Sequence, residues 1–273
     1  MIKKIVKIIL VGIIALSFIS CENNETTNKK EVKYKASLPM PEWDKKADKI
    51  IDNYYNNWHD AKKDPIPAMK IGYAYSEKLH DYEKALEWYK YADSMIALGE
   101  NSYFACYALQ KLKRYDEAIS WCKKAIDLKW DKAIPLLATV YEDNKRYDEA
   151  IKYYKQSYNK IKDGLSANNL GYLYSSKIKD YKKAEEWYKK AIILNHQSTY
   201  QSFATFYHED LKEDIKASAY SIALIDTKYT KSSVLRVLQD EWKIPNETIK
   251  KGYKLQLNSD EFPIKFKGQL GLP

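Results

Sequence analysis

The chain has 273 residues, of which 45% are hydrophobic and 30% are charged, and its formal net charge is +9 at pH 7. The length allows one or two ordinary domains. The basic excess is modest and comes almost entirely from lysine, which suits a solvated surface better than bidentate contacts with phosphates. No nucleic-acid motif and no glycine-rich phosphate loop accompany it, so we expect neither a nucleic-acid partner nor a cofactor.

The N-terminus has the pattern of an export signal. A lysine-rich start precedes an apolar stretch over residues 8–19 that is short for a membrane-spanning helix. The run from Phe18 to Cys21 resembles the lipobox of bacterial lipoproteins, with Phe18 where that family usually has leucine. This resemblance implies cleavage after residue 20, which lowers the net charge to +6, and lipid attachment to Cys21. An ordinary cleaved signal peptide and a retained anchor are the alternatives.

Residues 21–43 are polar and contain Pro39 and Pro41 near their end, and we expect them to form a disordered tether. A capping segment over residues 44–64 follows. Within it, a helix is predicted from about Asp44 to Trp58, because apolar side chains recur there at helical spacing. These side chains are Ala47, Ile50, Ile51, Tyr54, Tyr55 and Trp58.

The next part of the chain is a tandem repeat. Small residues recur every 33 positions, and alanines follow them 12 or 13 positions later. Repeats of this period are stacked supersecondary units that bury their apolar faces only against their neighbours. The first series is Gly72, Ala105, Ala138, Gly171 and Ala204, and the second is Ala85, Ala118, Ala150, Ala184 and Ala217. The small side chains let the two backbones of a hairpin approach closely.

Five hairpins are therefore predicted over residues 65–227, each with a helix A and a helix B. Helix A is predicted at 67–79, 101–112, 133–144, 165–177 and 198–210. Helix B is predicted at 83–97, 115–128, 147–161, 181–194 and 213–226. Val237 lies 33 positions after Ala204, which indicates a sixth, eroded hairpin within a C-terminal cap of 228–273 that ends in an extended tail.

The repeat has a recognisable signature. Gly72 and Tyr75, followed by the run from Asp81 to Tyr89, resemble the tetratricopeptide and Sel1-like repeat families, and the runs 114–119, 146–151 and 180–191 repeat this pattern. The fifth unit is degenerate. The resemblance implies an all-α, right-handed superhelical solenoid of about five repeats plus capping helices. The missing turn proline and the short period leave the choice between the two families open.

In these families, fixed positions of helix A line a concave groove that binds proteins or peptides. Carried over, they form a polar and acidic lining in which Tyr73 and Tyr172 are candidate anchors, and its carboxylates favour a basic partner. The positions are Met69, Tyr73, Glu77, Ser102, Cys106, Gln110, Thr139, Glu142, Asp143, Asn168, Tyr172, Ser176, Gln201, Thr205, His208 and Glu209. The alternative is that they are exposed helix residues with no common ligand.

Two further features concern cysteines and lysines. Cys106 and Cys122 fall on helix A and helix B of one unit, and a disulfide needs Cα atoms within about 7 Å. Since Cys106 takes a groove position and Cys122 a packing position, we expect free thiols rather than a disulfide. Helix B carries an outward basic row, interpreted as a solvated convex face, with anionic lipid headgroups as the alternative contact. The row includes Lys84, Lys90, Lys123, Lys124, Lys152, Lys155, Lys183, Lys189 and Lys190.

The function hypothesis follows from these features. The four histidines show no metal-ligand spacing, and no catalytic constellation is present, so an enzyme is not expected. We expect a lipid-anchored scaffold that faces the periplasm of a bacterial envelope and binds a protein or peptide in its groove. Glu22 after the cysteine favours the outer membrane. The alternatives are an assembly or secretion scaffold that uses both faces, and an envelope hydrolase that uses His208 with Glu209.

Overall fold

A computed structural model describes residues 34–273, and this part of the chain is helical without a β-strand. The predicted signal peptide and Cys21 lie outside the described residues. The first helices are α1 (Tyr54–Asp60), α2 (Pro65–Ala74), α3 (Tyr82–Met95), α4 (Gly99–Lys111), α5 (Tyr115–Asp127), α6 (Ala133–Asp143) and α7 (Tyr147–Ile161). They are followed by α8 (Gly164–Leu173), α9 (Tyr181–Ile193), α10 (Ser198–Phe206), α11 (Asp214–Ile222), α12 (Lys231–Arg236) and α13 (Asn246–Asn258). None of the helices in this part is long and apolar enough to cross a membrane.

The helices stack as a solenoid of hairpins, which confirms the predicted fold class. Each hairpin pairs a helix A with the helix B that follows it, and helix B also packs on the helix A of the next unit. The five pairs are α2 with α3, α4 with α5, α6 with α7, α8 with α9, and α10 with α11. A large apolar core runs through the hairpins from Ala47 to Phe262, and a second, smaller cluster is formed mainly by residues of the C-terminal cap.

The glycines of the repeat signature sit where two helices touch. A Cβ atom on Gly72 would lie 2.7 Å from the ring of Tyr89 and 3.1 Å from the carbonyl oxygen of Ala85. A Cβ atom on Gly171 would lie 2.6 Å from the ring of Tyr188. These positions are restricted to small residues because the tyrosine of helix B lies directly over helix A.

Several A helices end in a π-turn instead of continuing as the predicted α-helix. The π-turns are Tyr75–Leu79, Tyr174–Ile178 and Tyr207–Leu211 in the first, fourth and fifth units. Each is followed by a residue with positive φ, namely His80, Lys179 and Lys212. The third unit is one residue shorter between its two alanines, and its helix A ends without a π-turn. A π-turn accommodates one extra residue in a helix, and such turns occur frequently near functional sites.

The N-terminal capping segment differs from the predicted single helix. A 3₁₀ turn at Ala47–Lys49 and α1 are separated by Asn53, whose φ is 54°. The carboxylate of Asp44 links the start of the 3₁₀ turn to the first unit, since it accepts hydrogen bonds from the backbone amides of Lys46 and Ala47 and from the Tyr75 hydroxyl at 3.0 Å. It also pairs with Lys84, and the hydrogen bond from Lys84 holds the pKa of Asp44 well below its usual range.

The predicted tether also extends too far toward the fold. The backbone amide of Ser37 donates to the carbonyl of Ser94 in α3 at 3.4 Å, and Trp58 Nε1 donates to the carbonyl of Pro41 at 3.3 Å. Trp43 packs edge-on against Trp58 with ring centroids 5.5 Å apart. These contacts attach residues 37–43 to the first units, because the indole rings give a polar segment an apolar surface to lie on.

The sixth unit is not a regular hairpin. Helix α12 continues into a π-turn at Val237–Glu241, and α13 packs mainly on α11, where a Cβ atom on Gly252 would meet Ser218 at 2.6 Å. The tail after α13 is packed rather than free. Phe262 lies in the core beside Tyr220, and the Gln256 side chain exchanges two hydrogen bonds with the backbone of Phe266.

Candidate partner-binding groove

The candidate groove runs along the A helices, α2, α4, α6, α8, α10 and α12. The 33-residue spacing places equivalent side chains in one row across these helices. One such row contains Tyr73, Cys106, Thr139, Tyr172 and Thr205. In the middle of the chain, members of this row contact other parts of the protein, whereas in the C-terminal part they line a cavity.

In the C-terminal part, the predicted groove residues line an open cavity. A cavity of about 430 Å³ lies between α8 and α10, and five of the predicted residues contribute to its wall: Tyr172, Ser176, Gln201, Thr205 and Glu209. The Tyr172 side chain is 48% exposed, so it is available to a ligand in the groove. The end of the π-turn after α8 forms the rim with Lys179. The structure therefore brings these residues together in one place.

A second pocket continues the groove from α10 to α12. Its volume is about 200 Å³, and its walls include Leu224, Tyr229, Val234, Val237 and Trp242. It shares Gln201 and Thr205 with the first cavity, and the Tyr229 hydroxyl donates to Gln201 Oε1 at 2.5 Å. The sequence analysis missed this pocket. The signal for it in the sequence is the helical spacing of apolar residues in the sixth unit, which predicts a cap but does not by itself indicate a pocket.

Charges in the first cavity are partly compensated. Asp210 lies 3.6 Å from Lys179, whereas Glu209 is exposed and forms no ion pair within residues 34–273. His208 does not join the groove as predicted. Its Nδ1 lies 2.7 Å from the Asp214 carboxylate, and its ring stacks on Trp242 with centroids 4.5 Å apart. The repeat spacing explains this, because His208 is equivalent to Leu109 and Ser175, which are buried.

In the middle of the chain, the groove positions are used for internal contacts. Cys106 forms a disulfide with Cys122, with Cα atoms 5.2 Å apart, and both residues are fully buried. The expectation of two free thiols was therefore wrong. The first, third and fourth units have a helix B tyrosine at the position of Cys122, as with Tyr188, which lies over Gly171. The shorter Cys122 bonds Cys106 instead.

Gln110 closes the groove between the second and third units. Its amide nitrogen lies 3.2 Å from Thr139 Oγ1 and 2.8 Å from Asp143 Oδ2, and it donates to both. These contacts tie α4 to α6 through side chains that were predicted to face a ligand. Ser102, also predicted to line the groove, is fully buried and donates to Asp93 at 3.1 Å.

Glu142 points into the stack rather than into the groove. Its carboxylate accepts a hydrogen bond from the Tyr154 hydroxyl at 2.6 Å, and that hydroxyl accepts one from Asn169 at 3.3 Å. Burial raises the pKa of Glu142, and the Tyr154 hydrogen bond opposes the rise. Glu142 occupies the same inward repeat position as His208, so the sequence contained the signal for this correction.

The remaining predicted groove residues lie in the first unit and on the helix A of the fourth unit. Tyr73 is 51% exposed and packs edge-on against Phe104, with centroids 5.9 Å apart. Glu77 is exposed, and Met69 packs against the core. Asn168 is half-buried and donates to Asn169 at 3.4 Å. None of these residues lines either of the two cavities described above.

Several lysines of the convex row have partners on the protein. Lys124 pairs with Asp93 at 2.5 Å, and Lys189 pairs with Glu185 at 2.8 Å. Lys190 lies 3.9 Å from the centroid of the Trp187 ring. These contacts hold part of the row against the helix surface and leave less of it for an external anion.

Comparisons with known proteins identify the repeat. Two family models, both described as tetratricopeptide repeat, match residues 105–129 and 131–193. The chain is a tetratricopeptide-repeat protein. The matched residues of this tetratricopeptide-repeat protein extend from α4 to the end of α9, so they include the disulfide-linked unit and one wall of the open cavity.

Two other comparisons complete the findings. No curated protein matches the sequence. Among solved structures, one described as a MamA RS-1 ArsTM double mutant is similar, with 22% sequence identity and a TM-score of 0.45. The similarity covers 52% of this tetratricopeptide-repeat protein and 82% of that chain.

Proposed function

We propose that this tetratricopeptide-repeat protein is a scaffold that binds a protein or peptide in the C-terminal half of its groove. The observation that carries this proposal is the pair of adjoining cavities along α8, α10 and α12, lined by polar and aromatic side chains among which Tyr172 and Glu209 are exposed. Concave sites of this kind, with an aromatic anchor and a few polar groups, are typical of binding sites. The alternative of a hydrolase that uses His208 with Glu209 is less well supported, because His208 bonds Asp214 and stacks on Trp242 instead.

We further propose that the protein is anchored by lipid on Cys21 in a bacterial envelope and faces the periplasm from the outer membrane. The lipobox-like sequence and Glu22 support this location. The Cys106–Cys122 disulfide independently supports export from the cytosol, because disulfides persist in oxidising compartments and are rare in the cytosol.

The binding proposal is tested by two matched tyrosine variants. Tyr73 and Tyr172 occupy the same repeat position and are about equally exposed, but only Tyr172 lines the open cavity. Tyr172→Ala should reduce capture of partners from an envelope extract at least about tenfold, as expected for loss of an aromatic anchor. Tyr73→Ala should reduce it much less. Equal capture by the wild type and Tyr172→Ala, with unchanged helical circular dichroism, would place the binding site elsewhere.

The anchoring proposal is tested by cell fractionation. Cys21→Ala removes the thiol that would carry the lipid, so the protein should leave the membrane fraction. Ser20→Ala keeps a small residue before the cysteine and should stay in the membrane fraction. If both variants fractionate like the wild type, the protein is held in the membrane by something other than lipid on Cys21.

A further inference from the structure

The two cavities of the open half differ in chemistry and share one wall. We propose that they select an extended segment that carries a basic side chain and an apolar side chain three residues apart. This inference rests on the proposed function and specifies its partner. The cavity between α8 and α10 is called the acidic subsite, and the pocket between α10 and α12 is called the apolar subsite.

The acidic subsite is suited to an ammonium or guanidinium group. Glu209 and Asp210 both line it, and Lys179 compensates only one of these carboxylates. An exposed tyrosine ring, Tyr172, forms another part of its wall. A cation placed between a carboxylate and an aromatic face gains from both, since the ring attracts cations within about 6 Å of its centroid.

The apolar subsite is suited to one aliphatic or aromatic side chain. Its walls include Leu224, Val234, Val237 and Trp242, and Tyr229 turns its hydroxyl toward Gln201. The one charged residue in its lining, Arg236, pairs with Glu241 at 3.3 Å. A volume of about 200 Å³ has room for a side chain but not for a helix. Filling it would remove apolar surface from water on both partners.

The spacing between the subsites sets the spacing of the two ligand side chains. Adjacent packed helices are about 8–10 Å apart, and both subsites flank α10, sharing Gln201 and Thr205. A polyproline II segment rises about 3.1 Å per residue and has three residues per turn, so residues i and i+3 point the same way about 9 Å apart. Gln201 and Thr205 line both subsites, so in this proposal their side chains bond the ligand backbone between the two ligand side chains.

A displayed library of random dodecapeptides selected on the purified protein tests this inference. Enriched peptides should carry Lys or Arg three positions from an aliphatic or aromatic residue. A labelled peptide of this kind should lose about tenfold in affinity when its basic residue is replaced by serine, measured by fluorescence anisotropy. Glu209→Gln should cause a similar loss, and the two changes together should cost little more than either alone.

The apolar subsite has its own matched pair. Val237→Ser should weaken binding of the same peptide, and it should do so no further once the apolar residue of the peptide is serine. Enriched peptides that lack the pair, but still depend on Tyr172, would overturn this inference and leave the proposed function standing. A selection that enriches no peptide also overturns this inference. The proposed function is tested separately, by the variants Tyr172→Ala and Tyr73→Ala.

Discussion

The two halves of the groove are built from the same repeat and behave differently. In the middle of the chain, Cys106 and Gln110 turn toward neighbouring helices and close the surface. In the C-terminal half, Tyr172 and Thr205 occupy the same repeat position as Cys106 and line an open cavity. The position of a residue in the repeat therefore fixes its place on helix A. The chemistry of its side chain and the neighbouring residues determine whether that side chain is available to a partner.

The two halves differ because, among the described residues, groove side chains one repeat apart bond each other in the middle of the groove but not in its C-terminal half. Gln110 donates a hydrogen bond to the carboxylate of Asp143, which lies one repeat of 33 residues further on, so the groove between α4 and α6 is bridged. Ser176 and Glu209 occupy the corresponding positions of the fourth and fifth units, and no hydrogen bond joins them in the described residues. The Tyr188 ring covers helix A at Gly171, and the neighbouring Tyr172 remains 48% exposed.

The largest effect is expected in the closed half, the part of the groove around Cys106 and Gln110 where side chains bond neighbouring helices. Replacing Cys106 and Cys122 together by alanine removes a cross-link between residues 16 positions apart, which should lower the free energy of unfolding by about 3 kcal/mol. Urea unfolding of the variant, and of the wild type with and without reductant, measures this. Identical midpoints in oxidised and reduced wild type would mean that the disulfide does not hold this unit together.

A smaller effect is expected from the bridge between the second and third units. Gln110→Ala removes two side-chain hydrogen bonds and should cost about 1 kcal/mol of unfolding free energy. Thr205→Ala, on the lining of the open half, should change stability by less than about 0.5 kcal/mol. If the two variants are equally stable in urea, the closed half does not depend on Gln110.

The smallest effect concerns the buried carboxylate of the closed half. Burial raises the pKa of Glu142 above its ordinary value of 4.5, so the folded protein binds more protons than the unfolded chain above that pH. Stability should therefore fall as the pH rises from 4.5 through the folded pKa of Glu142. Glu142→Gln keeps an acceptor for Tyr154 and should flatten this decline.

A variant that should make the decline of stability with pH steeper provides the control. Tyr154→Phe removes the hydrogen bond that favours the ionised form of Glu142, so the decline with pH should become steeper. Thermal or urea unfolding at several pH values measures both slopes. Parallel pH profiles for the wild type and Glu142→Gln would show that this carboxylate does not contribute to the pH dependence.

Much of the fold could be predicted from the sequence. The spacing of Gly72, Gly171 and the alanines placed the five hairpins, and the close approach of helix A to helix B follows from the same residues. The candidate site was predictable only in part. Tyr172, Gln201 and Glu209 do line a cavity, but Cys106 and Gln110 do not, because their partners lie on other helices.

The sequence by itself determined the solenoid, because a repeated pattern of small and apolar residues can be buried only by stacking. The tertiary structure decided which part of the groove is open. It also decided that α13 packs on α11 and that residues 37–43 lie against the first units. The physical reason is that a repeat fixes local helix geometry through short-range spacing, whereas hydrogen bonds and cross-links between side chains depend on pairs that meet only after stacking.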